Sequence, residues 1–328
     1  MKLLGIAWGL FLALLAGGTL WLLAGGGGRD AVIVALPAAQ GSPSTTGDAS
    51  RPPSPDKTGD GSATSNADPG LIEQGRDGPL PRIGTDGRKP WRVYGRTVST
   101  IGARPRVVVI IRNLGLDKSI SETAVAGLPA GVTLALSPYG RALAPLARTA
   151  RARGHEILIA LPMESADAAR DPGPYALLSR NSAAENVARL RWMLSRVTGY
   201  VGAISEMGSR LTTEIGSLRP VLTELRDRGL MFVDGRTARG SIATRLADSL
   251  KLPRALVDRA IDDEMTAPAI DSRLREVERI ARRNGVAVAL ARPHPLSLAR
   301  IAVWLPGLDA KGLALVPVTA VADRQKNR

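Results

Sequence analysis

From Pro105 onward, short runs of aliphatic residues alternate with helical patterns, and this alternation limits the fold more than any other feature of the chain. The runs are Val107–Ile111, Val132–Leu136, Ile157–Leu161, Val201–Ile204, Leu230–Val233, Val286–Leu290 and Leu313–Val318. None shows polar alternation, so each reads as a strand covered on both faces. Helical patterns lie between them at Ala142–Arg153, Ala183–Val197, Arg219–Arg228, Ser241–Leu250 and Ile270–Arg283. Strand–helix alternation repeated about seven times implies an α/β fold with a parallel sheet. Residues 105–325 have the length for a closed (β/α) barrel of about seven strands.

Two stretches precede this domain. Leu3–Ala24 is a run of 22 residues without a charge, which as a helix would reach about 33 Å and cross a bilayer. It is long for a signal peptide, and no small-residue cleavage site closes it, so residues 1–30 are expected to be an uncleaved transmembrane anchor. Lys2 before the run favours a single-pass protein of the cytoplasmic membrane with its bulk exported to the periplasm, although Arg29 follows closely. Residues 31–104 read as a disordered tether, because "GSPSTTGDASRPPSPDKTGDGSATSNADPG" offers almost no apolar surface to offset the entropy of ordering. Within it, "LPRIGTDGRKPWRVYGR" (80–96) carries Trp91, Val93 and Tyr94. These either dock as an extended lead-in strand or belong to a disordered approach.

Composition removes several function classes. With no cysteine there is no disulfide, no Cys-ligated zinc, no iron–sulfur cluster and no thiol nucleophile. Two histidines, His155 and His294, cannot build a three-histidine zinc site. The net charge of +14 would suit a nucleic acid or an acidic surface. Its arginines are spread along the chain, however, and aromatics make up only 3%, so base-stacking platforms are lacking and nucleic acid is not the expected partner.

In parallel α/β architectures the site forms at the carboxyl ends of the strands. There the sequence places Arg112-Asn113, Ser137-Pro138-Tyr139, Pro162-Met163-Glu164, Glu206 to Arg210, Asp234 to Thr237, and Arg292-Pro293-His294-Pro295. Any one of these polar groups alone reads as a loop charge or a helix cap. Six strand ends that all supply them point to a functional rim. His155 precedes its strand and lies on the opposite face, so it reads as structural. Asp262-Asp263-Glu264 lacks the spaced oxygens of a calcium loop and reads as a solvated acidic turn.

These segments resemble a known family. "RVVVIIRNLGL" (106–116), "GVTLALSPYG" (131–140), "GHEILIALPME" (154–164), "MGSRLT" (207–212), "GLMFVDGRT" (229–237) and "PHP" (293–295) are similar, in order, to the divergent polysaccharide deacetylases. That family is a branch of the NodB-like carbohydrate esterases. The resemblance implies a distorted (β/α) barrel holding a divalent metal such as zinc in an Asp-His-His setting. It implies an amide hydrolase of N-acetyl sugars, in which the metal polarises the acetamide carbonyl and activates water beside an Asp base and a His acid.

The sequence departs from that pattern where the chemistry lies. The family's first strand ends in two aspartates, and here the pair is Arg112-Asn113. Glu206 stands where a histidine precedes the Met-Gly-Ser-Arg segment. Arg292 replaces the first histidine of the final motif, leaving His294, while Asp234 and Arg236 are kept. A guanidinium only donates hydrogen bonds and cannot ligate a metal. No metal site is therefore expected, and two readings stay open. In one, the protein is catalytically degenerate and binds an envelope glycan or envelope protein, with Arg112, Asn113, Glu164, Arg210, Arg236 and Arg292 contacting the ligand. In the other, Glu206, Asp234 and His294 form a rebuilt hydrolytic set. A third, weaker reading has the arginines form ordinary internal ion pairs with Glu206 and Asp234 in a purely structural domain. Whichever reading holds, two rim guanidiniums need countercharges, and an Arg112–Glu206 or Arg292–Asp234 contact is expected.

Overall fold

The computed structural model describes residues 67–98 and 102–325. The expected membrane anchor and the first part of the tether lie outside them. Among the described residues, no helix is long and apolar enough to cross a membrane. Residues 67–98, assigned above to the tether, are instead structured. A 3₁₀ turn at Pro69–Leu71, capped by the Asp68 side chain, leads into an antiparallel pair, β1 (Ile72–Gly75) and β2 (Gly78–Pro81). A short helix, α1 (Pro90–Val93), follows where either a lead-in strand or a disordered approach was expected. Its proline at the first turn is already set for the helical φ. Leu71 and Tyr94 are buried, so these few apolar residues are what hold the segment to the domain.

The main sheet is parallel throughout. It comprises β3 (Arg106–Leu114), β4 (Thr133–Leu136), β5 (Ile157–Met163), β6 (Gly202–Met207), β7 (Met231–Asp234), β8 (Arg254–Leu256), β9 (Arg259–Ala260) and β10 (Val286–Ala291). Their order is β8-β7-β6-β5-β4-β3-β10-β9, and β11 (Ala314–Leu315) pairs with the start of β3. The sheet curls into a half-barrel rather than the uninterrupted barrel expected. Its two end strands are successive pieces of one extended segment. Residues 254–256 pair with β7, residues 259–260 pair with β10, and Val257 and Asp258 donate to Asp234 O and Val288 O in turn. Leu313–Val318, expected as a full strand, pairs over only two residues.

Period-two alternation in the strands builds two cores. Val107, Val109 and Ile111 of β3, with Ile157, Ile159 and Leu161 of β5, pack in the cluster that also holds the helical residues. Val108, Ile110, Leu158, Ala160, Ile204, Val233, Val288 and Leu290 pack together on the concave side. Each fully buried aliphatic side chain of this kind contributes roughly 1.5–3 kcal/mol.

The outer layer consists of α2 (Lys118–Gly127), α3 (Leu143–Ala152), α4 (Ala183–Leu194), α5 (Ile215–Asp227), α6 (Ala243–Ser249), α7 (Ala267–Asn284) and α8 (Pro295–Trp304), followed by a short α9 (Gly307–Ala310). The longest, α7, shows how the sequence sets them. Thr266 accepts from Ala269 N as its cap, Ile270, Leu274, Val277 and Ala281 fall on one buried stripe, and Gly285 ends it at φ 79°.

At the amino end of the strands the concave core is closed by Leu71 and Tyr94 from the lead-in segment and by Val316, Val318 and Val321 from the carboxyl end. Glu156 ties both to the sheet. It is fully buried and accepts from Arg96 N at 2.8 Å, Thr319 N at 3.1 Å and the Thr319 hydroxyl. Its neighbour His155 is also buried, with Nδ1 2.8 Å from Val132 O and Nε2 3.3 Å from Val125 O. Burial pushes the His155 pKa down, and these two carbonyls pull against that shift.

Candidate functional site

The alternation that buries Ile110 and Ile204 on the concave side carries Arg112 and Glu206 to the same side, two residues further on. There they meet. Arg112 Nη1 donates to Glu206 Oε1 at 2.5 Å, and Asn113 Nδ2 donates to the same oxygen at 3.3 Å. Two strands, β4 and β5, separate β3 from β6 in the sheet, so this bridge spans the mouth of the curl. Both side chains are mostly buried, 19% and 11% exposed. Two further polar atoms of the pair, Arg112 Nε and Glu206 Oε2, are buried without a partner among the described residues. Of the two contacts expected, this one forms.

The other does not. Arg292 donates its backbone N–H to Asp262 Oδ2 at 2.7 Å and its Nη2 to Asp262 O at 2.6 Å, and its Nε lies 3.8 Å from Asp262 Oδ1. Register explains the choice. Leu290 lies opposite Ala260, and continuing both strands by two residues sets Arg292 opposite Asp262. Asp262 is 1% exposed and also accepts from the Ser297 hydroxyl at 2.9 Å, so the expected solvated turn is a buried anchor at this position.

Asp234 falls on the alternate parity, in line with Phe232 of the outer core. It accepts from Arg236 N and from the Ser241 hydroxyl, each at 2.8 Å. Burial raises its pKa, and those two hydrogen bonds draw it part of the way back. Glu164 accepts from Ser179 N at 2.5 Å and lies 3.8 Å from Arg210 Nε. Burial opposes its charge, but the Ser179 hydrogen bonds and the fields of Arg210 and Arg180 outweigh it and hold its pKa below the ordinary value. His294 is exposed, and its Nδ1 accepts from Leu296 N as the cap of α8. Among the described residues, no hydrogen bond or ion pair joins any two of Glu206, Asp234 and His294.

Backbone strain marks the same rim. Asn113, Met207 and Arg236 sit at φ 60°, 57° and 51°, at the ends of β3, β6 and β7. Asparagine tolerates this region, whereas methionine and arginine each lose roughly 1–2 kcal/mol there. Such residues cluster where a surrounding structure fixes a site. The fixing contacts are visible: the Thr237 hydroxyl donates to Met207 O, and Gly235 N donates to the Ser205 hydroxyl at 2.8 Å. A Cβ on Gly235 would come within 2.5 Å of Ser205 O, so that close approach admits only glycine. Strand-end position was enough to find Arg112, Glu206 and Asp234 in the sequence. Asp262, Ser179 and Ser241 carried no such signal.

The donors present do not suit the divalent cation that the resemblance implies. Glu206 is turned to a guanidinium, Asp234 to a hydroxyl and a backbone N–H, and His294 to a helix end. Among the described residues, no cluster of three His, Cys, Asp or Glu could hold a metal ion.

Comparisons with known proteins give one family model and several uncharacterized relatives. The model of a family described as divergent polysaccharide deacetylase matches residues 109–322. An uncharacterized protein of Escherichia coli (strain K12), YibQ, is 26% identical over 194 residues, covering 59% of this chain and 60% of its own length. An uncharacterized protein of Haemophilus influenzae is 27% identical over 214 residues, covering 63% of this chain and 73% of its own. Among solved structures, an uncharacterized protein from Agrobacterium tumefaciens C58 superposes with a TM-score of 0.72 at 35% identity, covering 74% of this chain and 99% of that one.

Proposed function

Because this chain belongs to the divergent polysaccharide deacetylase family, we propose that it is an envelope protein that has given up metal-dependent deacetylation and uses the rim to bind a glycan. One observation carries the reading: the Arg112–Glu206 bridge. In the family pattern these positions hold an acid and an imidazole, which together attract a cation. Here they hold a matched ion pair that leaves no net charge for one. The uncharged run Leu3–Ala24 supports attachment to the cytoplasmic membrane, with the domain on the exported side.

Ligand contacts fall to the rim cations that the fold leaves most accessible. Arg210 is 56% exposed, and Arg236 is exposed with no salt bridge among the described residues. Guanidinium forks of this kind grip carboxylates and phosphates on acidic glycans. The rebuilt hydrolytic set has less support, because its three members are each engaged elsewhere.

The test combines three readouts on the purified chain: bound zinc by elemental analysis, acetate release from N-acetylated chitooligosaccharide and peptidoglycan, and cosedimentation with peptidoglycan. Substoichiometric zinc, no acetate, and cosedimentation weakened by Arg210→Gln with Arg236→Gln are expected. Converting Arg112→Asp, Asn113→Asp, Glu206→His and Arg292→His together should raise bound zinc toward one per chain. Acetate release that disappears in Asp234→Asn or Glu206→Gln would overturn the proposal in favour of a live hydrolase.

A further inference from the structure

The opposite end of the sheet presents a second candidate. An open cleft of about 560 Å³ lies there, lined by Trp91, Arg92, Arg96, Arg106, Thr319 and Arg324 among others. Its four arginines come from three separate stretches: the lead-in segment, the start of β3 and the carboxyl end. None of them forms a salt bridge among the described residues, although eighteen such bridges tie up cations elsewhere in the fold.

The acids nearby do not offset them. Asp323 is the one acid in the lining, and its Oδ1 already accepts from Arg254 N at 3.0 Å. Glu156 lies beneath, with its oxygens taken by Arg96 N and by the Thr319 N–H and hydroxyl. Its burial favours the neutral form. Arg106 gives Nη1 to Ala320 O at 2.7 Å, and burial, then the field of Arg324, push its pKa down. Arg92 lies 4.7 Å above the Trp91 ring, and the Trp91 indole N–H is buried with no acceptor. The lining therefore offers guanidinium donors from several directions.

We propose that this cleft binds a phosphate monoester or diester. A carboxylate presents two coplanar oxygens and is satisfied by one guanidinium fork, whereas a phosphate monoester presents three terminal oxygens, and the two of a diester are set tetrahedrally, so that different forks can engage them at once. The cleft is roomier than inorganic phosphate requires, which leaves space for the organic part of an ester. A soluble phosphorylated compound and the headgroup of an anionic phospholipid share this chemistry. The inference is independent of the rim reading, since no cleft residue belongs to the rim.

The experiment is isothermal titration of the full-length chain, in detergent micelles, with glycerol 3-phosphate, with glycerophosphoglycerol as a soluble diester headgroup, and with acetate. Saturable binding of a phosphorylated probe and none of acetate is expected. Arg106→Gln with Arg324→Gln should weaken it at least about tenfold, the scale of a lost charge-assisted hydrogen bond. The surface variant Arg279→Gln, exposed on α7 and outside the cleft lining, should bind as the parent does, and the rim variant Arg236→Gln is run alongside to show whether the rim takes the probe instead. Preference for the monoester points to a soluble ligand, and preference for the diester to a headgroup. If the double variant fails to fold, Arg92→Gln with Arg324→Gln, both at exposed positions, takes its place. Absence of saturable binding, equal binding of acetate, or loss in the rim variant alone would each overturn the proposal.

Discussion

The two ends of the curled sheet treat arginine in opposite ways. At the carboxyl rim, Arg112 and Arg292 each lie within 4 Å of a buried carboxylate, Glu206 across the curl and Asp262 beside the neighbouring strand. The exposed Arg210 and Arg236 are the rim cations left for a ligand. At the amino end, Arg92, Arg96, Arg106 and Arg324 share one cleft and have no such partner among the described residues. The rim was the end at which the sequence had suggested an anion site. The difference teaches that a count of arginines does not measure binding capacity. A guanidinium already matched by a buried acid is part of the scaffold, and the charge left for a ligand is the charge the fold has not used.

Breaking the pairing should show this first at the rim. Glu206→Gln leaves Arg112 partly buried without its countercharge and should lower the unfolding free energy by about 2–3 kcal/mol, somewhat under the range for fully buried pairs. Urea denaturation measures it, and adding Arg112→Leu should recover most of the loss. A Glu206→Gln variant as stable as its parent would mean that the bridge contributes nothing.

A slope rather than an offset is expected beside the cleft, where burial lowers the His155 pKa from 6.5. The folded state then resists protonation. Its contribution is fully present above the unfolded pKa and is lost as pH falls below 6.5 toward and through the lower folded value. The raised pKa values of the buried Glu156 and Asp234 act in the opposite direction, so the test is the difference between parent and His155→Gln in thermal melts from pH 7.5 to 5. The parent should lose stability relative to the variant as pH falls, and a difference that does not change with pH would refute the assignment.

The smallest effect is expected in the cleft itself without ligand. Arg324→Gln removes a cation that only repels Arg106, so stability should stay within about 0.5 kcal/mol of the parent or rise slightly. Adding glycerol 3-phosphate should raise the melting temperature of the parent more than that of the variant. A large loss of stability in the variant would reveal a countercharge for Arg324 and remove the contrast between the two ends.

How much could be read beforehand depended on whether a feature was local. Strands β3, β5, β6 and β10 announce themselves because both their faces are apolar, and strand ends then fix where Arg112 and Glu206 go. The segment 254–260 reads as "RALVDRA", too short and too charged to look like a strand, yet it completes both edges of the sheet. Missing it also hid Asp262, whose burial opposite Arg292 depends on the register of β9 against β10. The lead-in segment was misjudged for a related reason. Its few apolar residues look too sparse to order a chain, but Leu71 and Tyr94 fill space that the barrel residues leave open.

The pairing of β3 also governs when the fold can be completed. One side of this strand is met early, by β4, but Val286 pairs with Arg106 across 180 positions of sequence, and β11 arrives later still. At ribosomal rates of about 5–20 residues per second, synthesis of that interval takes roughly 10–40 s. Throughout it β3, with its buried run Val107–Ile111, has an open edge of unpaired backbone groups, the kind that templates association with other chains. Closure over so long a loop is intrinsically slow. A nascent chain of this protein should therefore depend on a chaperone that shields β3 until the last third of the domain emerges.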